Sequence, residues 1–212
     1  MARITAYFTI LFFLLLATVN AQSSELAPSC KSSQRMKLTF TFKLIEMETD
    51  NWCWAATAQN IMGYHDKKFA NTRQCQLVED VSSFDPCCDS SATPECKNMG
   101  GSPEMIFKNK RFTYAPPRIA TDKILNWTEA TNEICEGRPY HAFIYWDGVN
   151  PHSVVVIGYD TTSGVDEIIV FDPTPHNGEA WLPFDQFILE DIESANQLYT
   201  HHRDTYQILP PN

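Results

Sequence analysis

The cysteines constrain this chain more than any other feature. There are seven, Cys30, Cys53, Cys75, Cys87, Cys88, Cys96 and Cys135, in 212 residues. An odd number in an oxidising compartment leaves one thiol unpaired after the other six have bridged. Cys87 and Cys88 are adjacent and their side chains diverge, so they reach two different partners. The sequence does not choose among the possible pairings. It has no paired CxxC elements or spaced Cys/His sets, which argues against zinc, and no cofactor is expected.

The compartment is read from the first segment, MARITAYFTILFFLLLATVNA. Arg3 precedes an apolar run from Tyr7 to Val19, with small residues Val19 and Ala21 at cleavage offsets. This is the pattern of a secretory signal peptide, residues 1–21, and the run is short for a membrane anchor. The expected product, residues 22–212, is a secreted single domain with no membrane association after cleavage. The composition of the full chain, 43% hydrophobic and 20% charged, is globular. A net charge of −10 with no basic run excludes nucleic acid as a first guess at a partner.

Helical patterning comes first along the chain. Thr49, Asp50 and Asn51 offer N-cap types before WCWAATAQNIM, and Gly63 stands where a C′ residue belongs. A second helix is expected within residues 75–84. Residues 85–101 read as a loop tied down by cysteines. Ser102 and Pro103 open a short helix through Phe107, and another covers Asn126–Glu136 before Gly137 and Pro139. From Tyr140 the period shortens. Strands are expected at Tyr140–Trp146, His152–Tyr159 and Asp166–Asp172, joined by turns at Asp147-Gly148 and residues 161–164. Two further segments, Leu198–His202 and Tyr206–Leu209, complete a sheet. Helices followed by antiparallel strands indicate an α+β fold of two lobes around a cleft.

Cys53 opens the first helix, where the partial positive charge of the helix N-terminus favours a thiolate. Trp52 and Trp54 flank it as flat apolar walls. It could instead be half of a disulfide, but pairing it would strand another cysteine. A thiolate nucleophile needs an imidazole, and the imidazole needs an orienting group. His152 opens a strong strand, and Asp172 ends the next one. In antiparallel neighbours these two positions share a rim and can be cross-strand partners. His141 is a weaker candidate base, because a mid-strand histidine more often packs or hydrogen-bonds. His201 and His202 point to opposite faces of a strand and make no metal site alone.

WCWAA, GRPY before a strand, HSVVVIGYD and VFDPTP together resemble the papain-like cysteine peptidases. The similarity is to the compact branch that includes double-glycine leader peptidases and plant-pathogen effector cysteine proteases. It runs from about Glu46 to Phe187. The resemblance implies a papain-like fold, with an N-terminal helical lobe carrying the nucleophile packed on a C-terminal antiparallel β-sheet lobe. It implies Cys53 as nucleophile, His152 as general base and acid, Asp172 as orienter, and protein or peptide substrates for a monomer. The family's Gln six residues before the nucleophile, an oxyanion donor, is here Met47, flanked by Glu46 and Glu48. Losing one such donor costs about 10²–10³ in rate. Asn51 is a possible substitute, whereas Gln59 lies too far inside the helix. A silent binding protein on the same scaffold and a thiol amidase or acyltransferase are the rival readings. Asn126-Trp127-Thr128 is a glycosylation sequon. Phe143, Tyr145, Trp146 and Trp181 are read as core and cleft wall.

Overall fold

The computed structural model describes residue 30 and residues 34–84, 86–88, 92–115, 123–146, 150–188 and 199–211. The signal segment, the Asp147-Gly148 turn and Leu198 lie outside the described residues. A short strand β1 (Arg35–Lys37) leads into helix α1 (Cys53–His65), followed by α2 (Lys67–Ala70), α3 (Gln74–Glu79), α4 (Pro94–Lys97) and α5 (Pro103–Asn109). Strand β2 (Thr113–Ala115) and helix α6 (Trp127–Cys135) precede β3 (Tyr140–Trp146), β4 (Asn150–Asp160), β5 (Glu167–Asp172) and β6 (Gly178–Pro183). Helix α7 (Phe184–Phe187) and strand β7 (Tyr199–Leu209) end the chain's described structure. The sheet order is β2-β7-β3-β4-β5-β6, with β1 also paired to β4, and every pairing is antiparallel. The architecture is α+β.

Both faces of the sheet are covered, which explains why β4 is apolar without alternation. Val155 and Ile157 join α1, with Ile61, Met62 and Phe107, in one core. Val154 and Val156 point the other way, toward α6 and α7, with Ile134, Phe184 and Phe187. Each such side chain contributes about 1.5–3 kcal/mol on burial.

Helix α1 is buried from Cys53 through Gly63. Thr57, Gln59 and Asn60 in this stretch are satisfied internally, as burial requires, whereas His65 Nε2 at the helix end has no hydrogen-bond partner. Thr57 donates to the Ser153 carbonyl at 3.1 Å, Asn60 exchanges hydrogen bonds with both backbone groups of Ile45 at 2.9 and 2.8 Å, and Gln59 accepts from Gln74 at 3.1 Å. Two expectations fail here. Gly63 does not end the helix, which runs on to His65; a Cβ there would stand 2.9 Å from Phe42 and 3.0 Å from Ala70, so the glycine permits close packing. The N-cap is Trp52 without a side-chain cap, and Thr49–Asn51 form the preceding turn instead, with Trp52 N–H donating to the Thr49 carbonyl at 3.0 Å.

The remaining elements sit close to their sequence signals. Asn126 caps α6 in a capping box with Glu129, and Gly137 follows with φ +71°. Ser102 and Pro103 begin α5, which continues to Asn109. Helix α3 stops at Glu79, short of the expected 75–84. The two expected C-terminal strands are one, β7, irregular opposite Phe143 and Ile144. Strands β2 and β6 and helices α2, α4 and α7 were not anticipated.

Gly158 lets β1 lie on β4, because a Cβ there would meet the Met36 carbonyl oxygen at 2.6 Å and Lys37 Cα at 3.0 Å. Gly158→Ala is expected to destabilise the fold by about 1–3 kcal/mol in thermal unfolding. Gly100→Ala, where a Cβ meets nothing within 4 Å, should change stability by less than about 0.5 kcal/mol. Equal effects would show that the approach of β1 is not constrained.

Candidate active site

Among the described residues, which include all seven cysteines, Cys53 is the one left unbridged. The disulfides are Cys30–Cys135, Cys75–Cys88 and Cys87–Cys96. The adjacent pair does reach two partners, one on α3 and one on α4. This knot places residues 96–99, the end of α4 and the two residues after it, beside the start of α1. There, four side chains around Cys53 donate to four consecutive carbonyls. Trp52 Nε1 reaches Cys96 at 3.3 Å, Thr49 Oγ1 reaches Lys97 at 3.0 Å, Asn51 Nδ2 reaches Asn98 at 3.3 Å and Trp54 Nε1 reaches Met99 at 3.2 Å. Gly101 then lies flat on Trp54, where a Cβ would be 2.7 Å from the indole.

Cys53 is the first residue of α1, so its backbone N–H has no partner within the helix. Its sulfur is hydrogen-bonded to His152. The other side of that imidazole is held by Asp172, with Nε2 and Oδ1 2.7 Å apart, which leaves Nδ1 for the sulfur. The paired register runs from Val155↔Phe171 to Asp160↔Glu167, so His152 and Asp172 are diagonal neighbours rather than opposed residues. His152 is also two residues inside β4, not at its opening, and is 6% exposed. The three predicted residues are thus brought together, in the order sulfur, imidazole, carboxylate.

Residues past β5 complete the site. Asp172 Oδ1 also accepts the Thr174 N–H at 2.8 Å, and Oδ2 accepts Asn177 Nδ2 at 2.8 Å. The Thr174 hydroxyl lies 3.5 Å from His152 Nε2. Neither residue was anticipated, although a run of short polar side chains after a strand-ending Asp is the signal of such a turn. Burial opposes ionisation of Asp172, but the hydrogen bond and charge of His152, then Asn177 and the Thr174 N–H, outweigh it and hold the carboxyl down to about 2. Burial likewise disfavours a charged His152, yet the hydrogen bond to Asp172 and the contact with Cys53 raise it to about 9.

The acidic neighbours of Met47 are occupied elsewhere. Glu48 is bound to the Gln74 N–H at 3.0 Å and Arg73 at 3.3 Å, and Glu46 accepts the His176 N–H at 3.3 Å. Asn51, suggested by sequence as a substitute donor, gives one hydrogen bond from Nδ2 to the Asn98 carbonyl. Gln59 faces Ala70, Thr72 and Gln74. His141 is fully buried among Ser153, Thr205 and Glu104, which removes it as a rival base. His201 is buried against Asp204 and the Phe187 carbonyl, and the His202 side chain lies outside the described residues. Trp181, expected in the core or cleft wall, is 40% exposed on the edge strand β6. Phe143 and Tyr145 pack edge to face on β3, 5.2 Å between ring centres, and the Trp146 side chain lies outside the described residues. Among the described residues, no cluster of three His, Cys, Asp or Glu could hold a metal ion. A groove of about 620 Å³, lined by Phe40, Phe42, Leu44, Glu46 and Phe171, does not include the sulfur.

Residues 32–188 match the sequence model of the family described as papain-like cysteine protease AvrRpt2. The chain belongs to that family and is a cysteine-type peptidase. Among solved structures it is similar to xylellain, a cysteine protease from Xylella fastidiosa, at 12% identity and a TM-score of 0.44, over 85% of this chain and 87% of that one. No curated protein matches the chain.

A histidine raised to about 9 contributes stability that is fully present below its ordinary pKa and is lost as pH rises through about 9. NMR titration of His152 should therefore find a midpoint near 9. Asp172→Asn removes an anion that favours imidazolium, so the midpoint must fall. A midpoint unmoved by that substitution would contradict the geometry.

Proposed function

We propose that the protein is a secreted peptidase whose nucleophile is Cys53, whose general base and acid is His152, and whose orienting carboxylate is Asp172. One observation carries this reading: the one unbridged sulfur shares a hydrogen bond with an imidazole whose far nitrogen is bound to a buried carboxylate. The sulfur attacks the scissile carbonyl to form a tetrahedral intermediate. The Cys53 N–H faces its oxyanion, and His152 passes a proton to the leaving amine as the thioester forms. Water, deprotonated by His152, then attacks the thioester and releases the acid product and the sulfur. Asp172 keeps the ring aligned throughout.

The sequence of residues 1–21 and the three disulfides support secretion. The mature product is a monomeric single domain, residues 22–212, acting on protein or peptide substrates. Asn126 is exposed, and its Oδ1 is engaged as the cap of α6 by Glu129 N–H at 3.0 Å. Its Nδ2 is thus left for a glycan, which need not disturb the helix.

Met47 supplies no side-chain donor, while its backbone N–H is used by the Pro173 carbonyl at 2.8 Å. This favours a slow enzyme. Cys53→Ala and His152→Ala should each lower hydrolysis of a peptide library by about 10⁴-fold or more. Met47→Gln should raise kcat, by up to about 10²–10³. Retained cleavage in Cys53→Ala would overturn the assignment, and an unchanged rate in Met47→Gln would show that another group completes the oxyanion site.

A further inference from the structure

The residue after His152 is held from three directions. The Ser153 carbonyl accepts the Thr57 hydroxyl at 3.1 Å, from the helix that begins with Cys53. Its backbone is paired with Phe143 on β3. Its hydroxyl is 3.1 Å from His141 Nε2. His141 is in turn held through Nδ1, 3.3 Å from Glu104 Oε1 and 3.4 Å from Thr205 Oγ1, and the Thr205 hydroxyl donates to the same carboxylate oxygen. Arg203 lies 4.0 Å from the second oxygen of Glu104 and stacks on Phe143 at 5.1 Å. Glu104, His141, Ser153 and Thr205 are all buried. Burial opposes the charge on Glu104, but the hydrogen bond and charge of His141, then Thr205 and Ser102, hold its carboxyl well below the usual range.

An ionised carboxylate inside a core is costly, and apolar side chains would join the same strands at least as well. Glu104 Oε2 has no hydrogen-bond partner, but the contacts of its other oxygen through His141 to the Ser153 hydroxyl set the orientation of each member of the chain. Here that chain links α5, β3 and β7 to Ser153, which follows His152 in β4 and accepts from Thr57 of α1. We propose that Glu104, His141 and Ser153 are positioning residues for the peptidase site, fixing the spacing and angle between the His152 ring and the Cys53 sulfur. This inference rests on the roles given to Cys53 and His152 above.

The test uses the full chain. Ser153→Ala removes one oxygen, Glu104→Gln keeps shape and removes charge, and Ser153→Thr retains the hydroxyl. In the first two, kcat should fall about tenfold or more at nearly constant KM, since small misplacements of reacting groups cost rates of this order. The alkaline limb of the pH–rate profile should also move to lower pH, because His152 loses part of the sulfur contact that helps retain its proton. The groups facing His152 are Cys53 from α1, with Asp172 and Thr174 from the end of β5. Those facing His141 are Glu104 from α5, Ser153 from β4 and Thr205 from β7, with Arg203 behind Glu104. Ser153→Thr should recover the rate and the limb. Variants that melt earlier but keep wild-type kcat per titrated site, and an unmoved limb, would overturn the inference and leave the network a purely stabilising role. If Ser153→Ala does not fold, Glu104→Gln decides between the same two results. Activity surviving in Cys53→Ala would instead sink the underlying site assignment.

Discussion

Helix α1 is buried from Cys53 through Gly63, so Thr57, Gln59 and Asn60 must find partners inside the protein. That demand ties the rest of the molecule together. Thr57 fastens the helix to β4 beside His152, Asn60 holds the incoming segment at Ile45, and Gln59 with Gln74 anchors α3. The sulfur at the helix tip is placed by these contacts rather than by its own interactions.

Electrostatics around His152 follow from the same packing. Its ring lies between a sulfur and a carboxylate, and the carboxylate also accepts from Thr174 and Asn177. With its other donors fixed, Asp172 has little freedom to turn away, so the imidazole is held in one orientation. On the other side of Cys53, two disulfides brace the segment whose carbonyls accept from Thr49, Asn51, Trp52 and Trp54. One wall is fixed covalently and the other by a hydrogen-bonded turn. The cleft chemistry therefore depends on oxidised cysteines around one reduced one.

The parts legible in the sequence are those governed locally. Asn126 with Glu129 and Gly137 marks both ends of α6, Ser102-Pro103 marks α5, and β-branched runs mark β4 and β5. Cysteine parity called for one free thiol, the helix start singled out Cys53, and the other six do pair. The misses have tertiary causes. Gly63 looked like a terminator, but it answers to Phe42 and Ala70 packing against the helix. The start of α1 is shaped by carbonyls of residues 96–99, which no local pattern around Thr49–Asn51 reveals. Trp181 was read with the core and cleft wall, and it is no part of the core because it lies on an edge strand with one open side. Glu104 carried no signal at all, since its partners His141 and Thr205 are far along the chain and meet it only after the sheet has formed.

The central claim is that one sulfur is unbridged and coupled to one ring, and alkylation of the oxidised, native protein tests it most directly. Brief treatment with iodoacetamide followed by peptide mapping should find a single modified cysteine, Cys53. The modification should slow sharply in His152→Ala. Recovery of Cys53 in a cystine, or alkylation at the same rate without the imidazole, would contradict the account.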